Sequence, residues 1–222
     1  MNKKAIFAMT AVTMLAVFLI ASMFYKDQET VKMETLASGN ASAFNRDYAQ
    51  SLGAMDAKVV ITEFLDPGCE TCAAFAPFIK SALDAFPGKI RLVIRYAPLH
   101  DGADYMVSVL EAARKQGKYW ETLQVMYDAQ PYWASHSNPQ PQLIWQYLPS
   151  VGLDLEKLKA DMNDPEIARL LQQDIADAKA LSVTKTPGFF VNGRPLEPFG
   201  AEELKALILS ELYKNYPSES GR

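Results

Sequence analysis

The only two cysteines of the chain, Cys69 and Cys72, stand two residues apart just past the apolar stretch Val59-Val60-Ile61-Thr62-Glu63-Phe64-Leu65. That placement constrains the fold, because a strand has to deliver the pair to the start of a helix. With the first sulfur at the helix N-terminus and the second one turn on, the two can close a small disulfide ring, and the helix end favours the first sulfur's anion. A Cys69 thiolate can then attack a partner's disulfide, and Cys72 can resolve the mixed disulfide that results. Two other readings stand beside this one. Half a zinc site needs about four ligands in all, and the remaining candidates, His100 and His136, lie in no Cys-x-x-Cys or His-x-x-x-His motif. A structural disulfide would close so short a ring that it removes little loop entropy.

Three further features favour the redox reading. Glu63 lies six positions before Cys69 in an otherwise apolar strand, and a carboxylate in a buried strand is costly unless it is used or paired. It is a candidate proton acceptor for Cys72, the alternative being an edge-strand side chain that points to solvent. Pro77 falls inside the helix that starts at the cysteines, where it removes a backbone hydrogen bond and bends the helix. Far along the chain, Thr186-Pro187 precedes Gly188-Phe189-Phe190-Val191-Asn192-Gly193, a strand and a turn. A cis bond there would present the Thr186 backbone beside the dithiol.

At these residues the sequence resembles the thioredoxin superfamily, and within it the DsbA-like thiol-disulfide oxidoreductases of the bacterial cell envelope. Glu63, Cys69, Cys72, Pro77 and Pro187 match that pattern position by position, as do the lead-in of residues 52–59, the phrase Glu63-Phe64-Leu65-Asp66-Pro67-Gly68-Cys69 and the long gap before Pro187. The resemblance covers roughly residues 44–215. It implies an α/β thioredoxin-like fold with an inserted helical subdomain, a cis-proline at Pro187, and an integral-membrane redox partner that recycles the dithiol. One departure concerns direction: many strongly oxidising members carry Pro-His between the cysteines, and this chain carries Glu70-Thr71.

The 222 residues suffice for one well-buried domain plus a targeting segment. A formal charge of -4 without a basic patch argues against nucleic acid. Lys3 and Lys4 precede an uncharged apolar run over residues 5–24, about the thickness of a bilayer's hydrocarbon layer. No small-residue cleavage site follows at Met23-Phe24-Tyr25-Lys26, so residues 1–25 are read as an uncleaved membrane anchor, with a cleaved signal peptide as the alternative. The lysines predict a cytoplasmic N-terminus and an exported domain, which for a bacterial envelope protein means an anchor in the inner membrane and a dithiol in the periplasm or equivalent space, where disulfides persist. Residues 26–43 read as a polar tether, residues 44–215 as the folded domain and residues 216–222 as a tail.

Within the domain, residues 58–65 and 90–96 are predicted strands flanking a helix over residues 69–86, a β-α-β unit. Residues 188–191 and about 194–196 form two more around the Asn192-Gly193 turn, followed by a helix over residues 202–213. The expected sheet is mixed and four-stranded, flanked by helices. Residues 101–183 are helical in pattern, punctuated by Pro131, Pro139, Pro141 and Pro149. Their aromatics are assigned to packing, with Tyr132 and Trp133 the candidates to line a substrate groove. His100 is assigned a turn or capping role and His136 a solvated loop position.

The sequence therefore predicts an extracytoplasmic oxidoreductase acting on cysteine-containing exported proteins. Cys69 is the nucleophile, Cys72 the resolving thiol and Glu63 the proton acceptor, while Thr186 and Pro187 bind an extended peptide; no metal or organic cofactor is called for. An anchored reductase of the kind that prepares apocytochromes and a copper-handling dithiol protein are the rival readings.

Overall fold

The computed structural model describes residues 3–217, apart from some side chains of the first helix. A 37-residue helix, α1 (Lys3–Gly39), comes first. Of the predicted tether, residues 26–43, residues 26–39 continue it as helix and Ala41–Ala43 form a 3-10 turn. Several side chains of the 5–24 run, and the tail from residue 218, lie outside the described residues. Those described are bare: Phe7, Val12, Leu15, Phe18 and Phe24 are all exposed. Among the described residues no helix is long and apolar enough to cross a membrane.

The domain is built on a five-stranded sheet, one strand more than the sequence predicted. In chain order its elements are β1 (Ser51–Gly53), β2 (Val59–Leu65), α2 (Glu70–Ala85), β3 (Ile90–Tyr96), α3 (Ala103–Arg114), α4 (Tyr119–Trp133), α5 (Leu155–Asp161), α6 (Pro165–Ala180), β4 (Gly188–Val191), β5 (Arg194–Pro195) and α7 (Ala201–Asn215). The extra strand, β1, is three residues with little apolar pattern, so only its antiparallel pairing with β3 reveals it. The spatial order is β1-β3-β2-β4-β5. β2 and β3 are parallel, as the α2 crossover requires, and β4 returns antiparallel on β2.

β2 and β3 are buried along nearly their whole length because helices cover both faces. On one face Ile61, Leu65, Ile90, Leu92 and Ile94 pack with Met106, Leu110, Leu123 and Met126 of α3 and α4, and each such side chain contributes about 1.5–3 kcal/mol. On the other, Phe64, Phe190 and Phe44 form a smaller cluster. Beside it the fully buried Arg95 binds Asp174 and Asp177 of α6 at 2.5 and 2.7 Å. Tyr48 and Arg46 complete this network through Asp174 and Asp177, so the segment entering the domain is fastened to the insertion and the sheet at once.

The helical insertion runs from α3 to α6, with short 3-10 turns over Pro141–Gln146 and Leu148–Val151. Pro131 is accommodated inside α4 instead of ending it. Tyr119, Tyr127 and Trp133 are core residues. The groove assignment of Trp133 is therefore corrected: it is buried, donating from Nε1 to the Met126 carbonyl at 3.0 Å, because helix α4 continues through it and turns the indole inward. Tyr132 is exposed and stacks on Tyr147.

Candidate active site

Cys69 is the N-cap of α2 and Cys72 lies in its first turn. The loop that delivers them is held by buried acceptors and donors. Asp66, fully buried, accepts from the backbone N–H groups of Gly68, Leu99 and His100 at 2.6–2.9 Å, and its Oδ2 lies 2.8 Å from His100 Nδ1. One side chain thereby joins the ends of β2 and β3. Gln130 of α4 donates to the carbonyls of Pro67 and Cys69 at 2.8 and 3.1 Å. At Gly68 a Cβ would meet Asp66 Oδ1 and His100 Cβ at 3.3 Å, so a side chain there would require Asp66 or His100 to shift by a few tenths of an ångström. Pro77 sits inside α2 and has no N–H to offer the Ala73 carbonyl.

Both cysteines are free thiols and both are buried. Cys69 Sγ lies 3.2 Å from the Thr186 carbonyl oxygen, to which the thiol donates, and the Thr186-Pro187 peptide is cis. That carbonyl favours the protonated sulfur, yet the donors facing it prevail. The Cys72 thiol donates to Cys69, with the Thr186 side chain and the N–H groups of Cys72 and Thr71, and against the opposing effect of burial they draw Cys69 down to about 5. Cys72 is pushed well above the ordinary thiol value by burial, by its own donated hydrogen bond and by the charge of Glu63. The two sulfurs are thus strongly differentiated, one an anion at neutral pH and one a proton donor.

Glu63 is buried in β2 with Ile94 and Phe189 as its cross-strand neighbours. Burial, and secondarily the charge of Cys69, push its carboxyl up to about 8, so it is mostly protonated at neutral pH. The structure therefore brings Glu63, Cys69, Cys72 and Thr186 into one electrostatic unit. A groove of about 490 Å³ runs beside it, lined by Thr71, Thr186, Pro187, Phe189, Glu197 and Phe199. Phe199 packs with its ring tilted against Phe75 of α2 and is half exposed.

His136 is exposed, 4.0 Å from Glu70 Oε1, and its ring lies 5.5 Å from that of His100. Among the described residues no group of three or more His, Cys, Asp or Glu side chains is arranged to hold a metal. Sequence reasoning missed Asp66 and Gln130. The Asp66-Pro67-Gly68 turn carried a usable signal, since aspartate in turns accepts nearby backbone N–H groups. Gln130 carried none, because its partners are 61 and 63 residues away.

A family model described as thioredoxin matches residues 46–209. The solved structure of a thioredoxin-like oxidoreductase from Silicibacter pomeroyi DSS-3 is 30% identical, with a TM-score of 0.67 over 78% of this chain and 96% of that one. The thiol-disulfide exchange protein alpha-DsbA2 from Wolbachia pipientis shares the fold at 17% identity, TM-score 0.68, over 82% of this chain and 97% of its own. Among curated relatives, a Na(+)/H(+) antiporter NhaA from Herminiimonas arsenicoxydans is 31% identical over 144 residues, 65% of this chain. The chain spans only 22% of that protein's length.

Proposed function

We propose, from the premise that this chain belongs to the thioredoxin family, that it is an extracytoplasmic oxidoreductase exchanging disulfides with cysteine-containing exported proteins. The observation that carries this reading is the split between the two sulfurs: Cys69 is held at about 5 at a helix N-terminus while Cys72 is held protonated. A substrate disulfide is attacked by the Cys69 thiolate, one substrate sulfur leaving as thiolate. Cys72 then attacks Cys69, passing its proton to the departing sulfur, or to Glu63 in the molecules where that carboxyl is ionised, and releases the reduced substrate. In the oxidising direction the same bonds exchange in reverse, the substrate losing two electrons to the Cys69–Cys72 disulfide.

The groove at Thr186 and Pro187 supports binding of an extended peptide, paired to the Thr186 backbone as an added strand. The exposed apolar side chains on α1, together with Lys3 and Lys4, support an anchor that leaves the dithiol outside the cytoplasm. An integral-membrane partner would recycle it.

On direction, the Cys69 value lies between about 7 for thioredoxin and about 3.5 for DsbA, which supports a moderate oxidant. The reductase reading draws on one observation, the carboxylate of Glu70 directly after Cys69. Equilibration with glutathione redox buffers, read by tryptophan fluorescence, tests both. A potential near about -270 mV, the thioredoxin value, would overturn the oxidant reading, and failure to form an internal disulfide would overturn the redox reading altogether.

A further inference from the structure

Glu63 also faces a second cavity, of about 720 Å³, that shares no lining residue with the Thr186 groove. This space lies between α2, the sheet and α4, walled by Pro77, Leu83, Leu92, Ile94, Leu123 and Tyr127. Its volume is that of a small-molecule site, about 300–1,000 Å³. Lys80 and Asp84 also line it, but they are exposed and paired with each other at 2.7 Å, so their charges cancel. Glu63 is the remaining ionisable carboxyl of the lining. It is 4% exposed and, among the described residues, no hydrogen bond or ion pair is made by its side chain. An apolar chamber with one unpartnered carboxyl in its wall suits a ligand with an apolar body and a single cationic donor, because that donor supplies the partner the carboxylate lacks.

We propose that this cavity binds a small, largely apolar amine, its hydrocarbon body against the leucine and aromatic walls and its ammonium against the Glu63 carboxylate. Binding is linked to protons: a carboxyl at about 8 is mostly protonated at neutral pH, and pairing with an ammonium releases its proton to solvent. The other titratable groups that face Glu63 are Cys69 and Cys72 from α2 and Tyr119 and Tyr127 from α4. Both tyrosines remain neutral, being raised well above their ordinary value by burial. If Glu63 also takes the Cys72 proton, as proposed above, an occupied cavity slows the resolving step. That consequence rests on the redox reading, whereas the binding does not, so calorimetry and kinetics fail separately.

The test uses 2-naphthylmethylamine as probe and 2-naphthylmethanol as its uncharged analogue, titrated calorimetrically into the reduced protein. The amine is expected to bind tighter than the alcohol, with an affinity that rises about eightfold between about pH 7 and pH 8.5 as Glu63 ionises, while the alcohol's stays flat. Glu63→Gln is expected to weaken the amine at least about tenfold and spare the alcohol. Leu83→Trp, which fills the chamber, is expected to weaken both. Amide chemical shifts of the unaltered protein locate the site independently of either variant: changes at Leu123 and Tyr127 support it, and changes confined to Thr186 and Gly188 overturn it. Equal affinity for amine and alcohol, or full amine affinity in Glu63→Gln, also overturns it.

Discussion

Replacing Glu63 with Gln should make the protein more stable at neutral pH, although it removes a residue of the reactive unit. The carboxyl titrates near 4.3 in an unfolded chain, by the usual Glu value, and at about 8 when folded. A group whose folded value is raised contributes stability that is fully present below its unfolded value and is lost as pH climbs to the folded one. At about pH 7 the unfolded chain has gained the ionised form while the folded one has hardly begun to, a difference of roughly 2.5 pK units, or on the order of 3 kcal/mol. Gln has the same shape and the same absence of a partner but no charge to desolvate, so it recovers most of that quantity. For a protein of this size each kcal/mol moves Tm by about 2–4 °C, so the variant should melt roughly 6–12 °C higher at about pH 7. Urea unfolding of both proteins, reduced, at about pH 4 and about pH 7.5 is the assay: the curves should nearly coincide in acid and separate in the neutral range. A gap independent of pH, or a variant less stable at neutral pH, would refute the reasoning, because burial would then not be what raises the carboxyl.

The remaining predictions touch the dithiol, its loop and the distant clamp. Thiolate absorbance at 240 nm should titrate near 5 in the reduced protein and higher in Cys72→Ser, whose hydroxyl is not the partner that Cys69 has now; a wild-type midpoint at or above about 8.5, the free thiol value, would remove the nucleophile assignment. Gln130→Leu leaves the Pro67 carbonyl unpaired in the interior and should cost about 1–3 kcal/mol in urea unfolding. Asp174→Asn weakens the partner of a fully buried guanidinium and should cost toward the lower end of about 3–5 kcal/mol, since Asp177 remains. Glu70-Thr71→Pro-His should raise the reduction potential by tens of millivolts at most, with about 30 mV equal to about 1.4 kcal/mol; an unchanged or lowered potential in the glutathione equilibrium would show that the dipeptide has no hand in the poise.

What the sequence conveyed well was local. The apolar runs ending at Leu65 and Tyr96 and the cysteine pair between them encode β2, α2 and β3 almost to the residue, because buried parallel strands are continuous apolar runs and the helix begins where the dithiol needs it. What escaped was set by long-range pairing. β1 exists because the backbone of residues 51–53 finds the edge of β3, and so short a strand has no periodicity to detect. Arg95 looks like a charge in a strand until Asp174 and Asp177 arrive from α6, 79 and 82 residues later. The direction of the Trp133 ring depends on whether α4 survives Pro131, and a proline near a helix's end is compatible with either outcome. Glu63 was legible as an anomaly, a carboxyl in an apolar strand, but the cavity beside it depends on how α2 and α4 pack and has no counterpart in any short stretch of sequence.

The contrast between Glu70 and the partners of Cys69 bears on which residues set the redox poise. Read in sequence, the carboxylate after the nucleophile opposes the thiolate. In the structure its side chain is 75% exposed and has His136 Nε2 at 4.0 Å, so water and salt screen it and its effect on the sulfur is of the size of a surface pair, about 0.2–1 kcal/mol. The donors that face Cys69 act on a sulfur shielded from water: the fully buried Cys72 thiol, the half-buried Thr186 side chain and the first amides of α2. Between a free thiol near 8.5 and a sulfur at about 5, thiolate stabilisation at about pH 7 amounts to roughly 2 pK units, on the order of 3 kcal/mol or about 60 mV toward the reduced form. The hydrogen bonds to the sulfur therefore outweigh the exposed charge severalfold. Evolution or design that aimed to reverse the direction of electron flow in this protein would have to alter Thr186 or the surroundings of Cys72, where donors can be removed from the sulfur, before the dipeptide between the cysteines became decisive.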